Sequence, residues 1–190
     1  MSIGSLIRSS YLLYFAQPAA DRALYWALKS RPIRTIVELG IGLGSASGNR
    51  TERLLEVAAW RRDCLPLAYT AIDLFESRPA HQPRLTLKQA FHDLRPTGAN
   101  IRLVPGDPYS ALVRTANALT GTDLLIIAAD QDRESLAQAW RFVPRMIHPR
   151  TLIFQQDAAS GPGKETWRQL KHDDVLKLAA DATRAVRRAA

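Results

Sequence analysis

Short apolar runs alternate along the chain with longer stretches that have helical periodicity. The runs are rich in leucine and β-branched residues, which favours strands, and the longer stretches repeat apolar residues at helical spacing. Strands that alternate with helices of about 10 to 15 residues form βαβ units, which build a mainly parallel sheet covered by helices on both faces. The predicted strands are residues 35–39, 67–72, 101–104, 123–127 and 151–154. The predicted helices are residues 20–29, 49–61, 110–119, 134–146 and, in one or two pieces, 165–188.

This order predicts a doubly wound, Rossmann-like α/β fold. A length of 190 residues suits a single domain with one core. We expect a helical segment at 1–32, the α/β core at 33–157, and a helical segment without strands at 158–190. In open sheets of this kind, ligands bind beyond the carboxyl ends of the strands, near the point where the strand order reverses. Polar residues and glycines that directly follow the predicted strands should therefore meet in one crevice.

Composition limits the cellular setting and the partners. Cys64 is the only cysteine, so an internal disulfide is impossible and a reducing, cytoplasmic setting is expected. No stretch approaches the roughly 18 consecutive apolar residues of a membrane-spanning helix, so no membrane partner is expected. The formal net charge of +8 attracts polyanions. The basic residues are scattered, however, so a solvated surface is favoured over a nucleic-acid footprint.

A glycine-rich loop follows the first predicted strand and reads Glu-Leu-Gly-Ile-Gly-Leu-Gly over residues 38–44. Glycine has no Cβ, so such a loop lets a ligand approach the main chain closely. The loop lacks the Gly-Lys-Ser/Thr ending of a P-loop. It also fails the GxGxxG dinucleotide pattern, because Ser45 and Ser47 stand where the third glycine would be. The loop is therefore best described as an acidic residue followed by three glycines at alternate positions.

That ExGxGxG pattern after a β-branched strand resembles motif I of the class I S-adenosylmethionine-dependent methyltransferases. The resemblance covers about residues 35–157, and motif I is its specific part. It implies that Gly40, Gly42 and Gly44 pass under the methionine and ribose parts of the cofactor. It also implies that Glu38 lies beneath the amino-acid portion of S-adenosylmethionine.

Three positions further along the chain extend the resemblance. Asp73 ends the second predicted strand, where the family uses an acid to accept hydrogen bonds from the ribose hydroxyls. Gly106 and Asp107 follow the third strand, where the family often places Gly-Asp near the adenine amino group. Asp130 follows the fourth strand, where the family's fourth motif lies. Taken singly, each acid could instead be a helix cap or part of a turn.

The segment after the fourth strand is similar to that of small-molecule O-methyltransferases, which hold a divalent cation there with carboxylates. This chain departs from their pattern, because Ala128 and Gln131 stand at the expected acid and Lys/His positions and the later pair is Gln156-Asp157. A hard cation needs several oxygen ligands. The four histidines also lack the close spacing of metal ligands. We therefore predict no metal, and the sequence assigns no catalytic residue.

Three functions remain open. The favoured one is a metal-independent methyltransferase that acts on a small molecule, with O-methylation preferred. An RNA methyltransferase fits the positive charge, although no Asn-Pro-Pro-Tyr-like motif supports it. The third is a cofactor-binding or interaction module without catalysis, which fits the neutral residues Ala128 and Gln131 and the absence of the family's last two strands. Such a sheet would leave an open edge beside the fifth strand, which the last helix or a second copy in a homodimer would cover.

Overall fold

The computed structural model describes residues 10–43, 49–60, 66–157 and 166–189. Its strands are β1 (Thr35–Leu39), β2 (Ala68–Asp73), β3 (Asn100–Pro105), β4 (Thr122–Ile127), β5 (Ile147–Asp157) and β6 (Thr166–Leu170). They form a six-stranded sheet in the order β3-β2-β1-β4-β5-β6. Neighbouring strands are parallel from β3 to β5, and β6 is antiparallel to β5. The chain leaves β1 towards one side and returns to its other side with β4, so the strand order reverses between these two strands.

The α-helices with both ends in the described residues are α1 (Arg22–Ser30), α2 (Arg50–Ala59), α3 (Leu87–Leu94), α4 (Pro108–Thr115), α5 (Arg133–Ala139), α6 (Val143–Met146) and α7 (His172–Ala189), and residues 10–14 are also helical. They form two layers, because successive side chains of a strand point to opposite faces of the sheet. Ile36 and Tyr69 pack with α1, α2 and α3 on one face. Val37 and Ile72 pack with α4 to α7 on the other. The mainly parallel sheet with helices on both faces confirms the predicted fold class.

All five predicted strands are present, and four of them have bounds within one residue of those expected; β5 extends further than predicted in both directions, over 147–157 instead of 151–154. The prediction that residues 158–190 add no strand is wrong, because β6 pairs along β5 from Asp157 opposite Thr166 to Ile153 opposite Leu170. The strand was missed because it is short and polar: Arg168 and Gln169 are exposed, and only Leu170 is buried. The edge of β5 that we expected to be open is therefore covered by the chain itself.

Two helices also differ from the prediction. α3 lies in a segment that we left unassigned, and the Thr86 side chain caps it by accepting a hydrogen bond from the Gln89 amide at 3.1 Å. The single helix expected at 134–146 is divided into α5 and α6 by a short 3₁₀ turn at Trp140–Phe142. Pro144 near the start of α6 explains the division, since proline has no amide hydrogen to continue a helix.

None of the helices in the described part of the chain combines the length and the apolar character that crossing a membrane requires.

Candidate functional site

The structure brings most of the predicted site residues together at the carboxyl ends of β1 to β4. The Ile41 amide, in the glycine loop, donates a hydrogen bond to Asp73 Oδ2 at 2.9 Å. The Gly106 amide donates to the Asp73 carbonyl oxygen, also at 2.9 Å. Asp130 lies next to Gly40, because its Oδ1 atom is 3.0 Å from the position that a Cβ on Gly40 would take. Gly44 is outside the described residues.

Gly40 turns the chain out of β1 with a φ of +84°, a left-handed conformation that favours glycine. The space beside it is already filled by the chain's own side chains. A Cβ at this position would lie 2.8 Å from Ala128 Cβ and would overlap the Gln131 amide nitrogen. Gln131 is held there by donating a hydrogen bond to Asp130 Oδ1 at 2.9 Å. In the described conformation, these side chains therefore occupy the space beside Gly40 that the absence of a Cβ leaves free.

Glu38 is fully buried and is paired with a cation that the sequence analysis did not identify. Arg50, the first residue of α2, donates to Glu38 Oε1 at 2.7 Å and to the Gly40 carbonyl oxygen at 3.0 Å. The other carboxylate oxygen accepts hydrogen bonds from the Thr51 hydroxyl at 2.9 Å and the Tyr69 hydroxyl at 2.5 Å. A buried charge needs such partners, because leaving it unpaired away from water is very costly. We call this group the Arg50–Glu38 pair.

Burial and electrostatics around Glu38 shift the pKa values of its partners. Burial raises the pKa of the Tyr69 hydroxyl well above its usual value, and the adjacent Glu38 charge raises it further. Burial works to lower the pKa of Arg50, but the charge and the hydrogen bond of Glu38, together with the nearby Asp21 and Tyr69, raise it overall. Tyr69 therefore stays a hydrogen-bond donor and Arg50 stays a cation over the accessible pH range.

Gly42 also makes room for Arg50. A Cβ on Gly42 would lie 2.7 Å from Arg50 Nε, and the Gly42 amide donates to the Thr51 hydroxyl at 2.9 Å. The Arg50 guanidinium carbon lies 5.0 Å from the ring centre of Trp167, in cation–π contact. This stretch of the loop thus packs on the partly buried Arg50, which contacts both Glu38 of β1 and Trp167 of β6.

Asp73 is paired in the same way, with Arg78 from the turn that follows β2. Arg78 makes a two-pronged contact, with Nε 2.7 Å from Oδ1 and Nη2 2.6 Å from Oδ2. Each oxygen also accepts a backbone hydrogen bond at 2.9 Å, Oδ1 from Phe75 and Oδ2 from Ile41. Both side chains are only 5% exposed. A carboxylate has about four lone-pair sites, and all of those of Asp73 are in use within this Arg78–Asp73 pair.

Asp107 serves as the N-cap of α4. Its Oδ1 atom accepts hydrogen bonds from the Tyr109 amide at 3.0 Å and the Ser110 amide at 3.1 Å, and also from the Ser135 hydroxyl of α5. Partial burial works to raise the pKa of Asp107, but the hydrogen bonds from the Ser110 and Ser135 hydroxyls and from backbone amides lower it to about 2. Asp107 thus caps one helix and joins it to the next.

The absence of a metal site stays a prediction. Within the described ranges, no three His, Cys, Asp or Glu side chains are grouped closely enough to hold an ion. Asp157, at the end of β5, instead lies 3.5 Å from Arg168 Nε of β6. Gln156 accepts a hydrogen bond from the Ala129 amide at 3.2 Å.

The types of residue at the crevice suit S-adenosylmethionine, but their conformation does not fit it. The cavity bounded by Asp73, Gln82, Asp107 and Gln131 has a volume of about 30 Å³. Small-molecule and cofactor sites usually measure about 300 to 1,000 Å³. The carboxylates of Glu38 and Asp73 have no free acceptor positions, so the ribose and amino-acid groups would have to displace an arginine.

The residues that the sequence analysis missed are the ones that pair with the predicted acids: Arg50, Thr51, Tyr69, Arg78 and Ser135. Arg78 follows Asp73 by five positions, and Arg50 begins the helix after the glycine loop. No spacing rule separates such arginines from those on a solvated surface. Only Tyr69 could have been suspected from the sequence, because it lies on a predicted strand. It is two positions before Ala71, which pairs with Glu38.

A scan against protein-family models finds no match to the chain, and a search of curated proteins finds none. Solved structures with a similar fold include MycE, a methyltransferase of the mycinamycin pathway crystallised with S-adenosylhomocysteine and magnesium (18% identity, TM-score 0.43, 84% of this chain and 36% of that chain). This chain thus spans just over a third of the length of MycE. Others are a TehB-like methyltransferase from Corynebacterium glutamicum (16%, 0.47, 86% and 71%) and a Burkholderia thailandensis 1,6-didemethyltoxoflavin-N1-methyltransferase with bound S-adenosylhomocysteine (14%, 0.42, 94% and 76%).

Proposed function

We propose that the protein binds S-adenosylmethionine at the carboxyl edge of its sheet and transfers the methyl group to a small molecule without a metal ion. One observation carries the proposal: the glycine turn after β1 is hydrogen-bonded directly to Asp73 at the end of β2, beside the point where the strand order reverses. A carboxylate at that place can accept both hydroxyls of a ribose. Asp107 and Asp130 border the same crevice.

Cofactor binding in this proposal requires the Arg78 guanidinium to leave Asp73. The two backbone amides of Ile41 and Phe75 would stay on the carboxylate, while the two positions used by Arg78 would become available to a diol. If the site is open in only a fraction of the molecules, the apparent dissociation constant equals the intrinsic dissociation constant divided by that fraction. The Arg78–Asp73 pair should therefore lower the affinity for the cofactor.

The decisive experiment is calorimetric titration with S-adenosylhomocysteine and S-adenosylmethionine. We expect micromolar binding by the wild type and binding at least about fivefold tighter by Arg78→Gln, because the competitor for Asp73 has been removed. Arg78→Lys keeps the charge but loses the two-pronged contact, so its affinity should lie between the two. Arg84→Gln removes the same charge from an exposed position nearby and should bind like the wild type.

Circular dichroism must show that each variant is folded before its titration is interpreted. Absence of binding by both the wild type and a folded Arg78→Gln variant would remove the proposed function. If binding is found, release of S-adenosylhomocysteine in a screen of hydroxylated and amine acceptors tests methyl transfer and the preference for oxygen.

A second candidate is a module with this fold that binds no cofactor and performs no catalysis. It is favoured by a specific observation, namely that both Glu38 and Asp73 are neutralised by arginines of the same chain. In this alternative, Arg50 and Arg78 permanently fill the places of cofactor groups. The same titration separates the two candidates, since only the first predicts that removing Arg78 increases affinity.

A further inference from the structure

A second cavity opens at the amino edge of the sheet, opposite the crevice described above. Its volume is about 590 Å³, which lies within the range of about 300 to 1,000 Å³ found for small-molecule sites. The residues that carry charge or hydrogen-bonding capacity at its wall come from three places in the sequence. They are Arg31 and Arg34 before β1, Asp123 at the start of β4, and His148 and Arg150 at the start of β5.

The one acidic group in the wall of this cavity is already satisfied. Asp123 Oδ2 accepts hydrogen bonds from the backbone amides of Arg34 at 2.8 Å and Thr35 at 3.1 Å, and Oδ1 lies 3.1 Å from His148 Nε2. Partial burial works to raise the pKa of Asp123, but these hydrogen bonds lower it. Its carboxylate is thus occupied by neutral donors and does not engage the arginine side chains.

His148 takes part in the same arrangement. Its Nδ1 atom lies 3.2 Å from the Arg150 amide nitrogen, and its Nε2 atom lies 3.1 Å from Asp123 Oδ1. The other charged groups of the wall are three arginines and one carboxylate, so the net charge of the wall is positive.

The three guanidinium groups have no carboxylate partner among the described residues. Arg31 donates to the Arg150 carbonyl oxygen at 2.9 Å, which holds its side chain beside the start of β5. All three arginines are exposed, so their side chains can reach a ligand in the cavity without breaking an ion pair with the described part of the chain. Guanidinium groups bind phosphate oxygens in a two-pronged geometry that ammonium groups cannot match.

We propose that this cavity is an anion site that binds phosphate groups, either of a small phosphorylated compound or of a polynucleotide. The clustering of three arginines that have no carboxylate partner in the described part of the chain, around a satisfied carboxylate, carries the proposal. The cavity also has room for more than one phosphate. The overall charge of +8 would draw such ligands towards the protein. The site is at the opposite end of the strands from the cofactor crevice, so it neither needs S-adenosylmethionine binding nor depends on it.

The test compares two double variants with the same change in charge. Arg34→Gln/Arg150→Gln removes two guanidiniums from the cavity, while the backbone amides that hold Asp123 and His148 remain. Arg187→Gln/Arg188→Gln removes two exposed arginines near the end of α7. Binding of inorganic pyrophosphate is measured by calorimetry, and binding of a short fluorescent single-stranded RNA by anisotropy at several salt concentrations.

We expect the cavity variant to bind pyrophosphate at least tenfold more weakly than the wild type, and the α7 variant to bind it like the wild type. If RNA binding falls in the cavity variant alone, and its dependence on log salt becomes shallower by about 1.4, the phosphates are those of a polynucleotide. If RNA binding is the same in both variants while pyrophosphate binding falls in the cavity variant alone, the ligand is a small phosphorylated compound. The proposal is wrong if the two variants behave alike with both probes.

Discussion

At the scale of single residues, the acidic side chains at the crevice are already hydrogen-bonded to donors of the same chain. Glu38 and Asp73 have the positions expected of cofactor ligands, yet Arg50 and Arg78 saturate them. Removing one partner from a buried ion pair leaves an uncompensated charge, which typically costs about 3 to 5 kcal/mol. Removing Arg50 or Arg78 alone should therefore destabilise the fold as well as free a carboxylate at the crevice.

Two buried tyrosines provide a matched test of the hydrogen bonds around Glu38. Tyr69→Phe removes a donor to a buried carboxylate, and we expect it to lower the free energy of unfolding by about 2 kcal/mol. The Tyr25 hydroxyl is equally buried but has no hydrogen-bond partner within the described residues. Tyr25→Phe should therefore change stability by less than about 0.5 kcal/mol or increase it slightly. Urea unfolding of both variants checks the prediction, and equal losses would contradict it.

Metal independence is a prediction about the ends of β4 and β5. Ala128 has no ligand atom, and Asp130 is engaged by Gln131. We expect calorimetric titration with Mg²⁺ to show no micromolar binding, and chelation to leave S-adenosylhomocysteine binding unchanged. Micromolar affinity that disappears in Asp130→Asn would show that the carboxylates rearrange into a metal site.

At the scale of secondary-structure elements, Asp107 links the stability of α4 to pH. Its pKa in the folded protein is about 2, below the value of 3.8 for a free side chain. A group with a depressed folded pKa contributes stability above its unfolded pKa, and the contribution is lost as pH falls through the folded value. Stability should therefore decrease between about pH 4 and pH 2 in part because Asp107 becomes protonated.

Asp107→Asn isolates that contribution, since asparagine is as good an N-cap as aspartate. We expect the variant to be less stable than the wild type near neutral pH and to lose less stability between about pH 4 and pH 2. Urea unfolding across that range gives the measurement. Asp93→Asn removes a carboxylate from the last turn of α3, away from the N-terminus of that helix, and should keep the wild-type slope. Parallel pH profiles for wild type and Asp107→Asn would contradict the assignment.

The elements also show how far the sequence could be interpreted. The five parallel strands were predictable because each is rich in apolar and β-branched residues and has a glycine or an acid at or shortly after its end. β6 was not, because an edge strand needs few apolar residues and TWRQL has little strand signal. The convergence of Gly40, Asp73 and Asp107 followed from topology. The pairing of the acids with arginines could not be predicted from topology. It depends on arginines in turns and at the starts of helices, and no residue spacing specifies their positions.

At the scale of the whole molecule, stability should increase from the edges of the sheet to its centre. β4 is almost completely buried between β1 and β5, whereas β3 and β6 each have a neighbour on one side only and several exposed residues. We therefore expect amide hydrogens of β1 and β4 to exchange last and those of β3 and β6 first. Hydrogen exchange followed by mass spectrometry checks this order. Protection of β6 as strong as that of β4 would indicate that something covers the outer edge, such as a second copy of the chain.

The indole nitrogen of Trp167 in β6 donates to Asp21 just before α1, at 2.9 Å and across 146 positions of sequence. During synthesis, the segment around Asp21 leaves the ribosome long before Trp167 has been added. That bond cannot form until nearly all of the sheet has been made, and closing so long a loop carries an entropic cost. The contact between the segment around Asp21 and β6 is therefore one of the last to form as the protein folds.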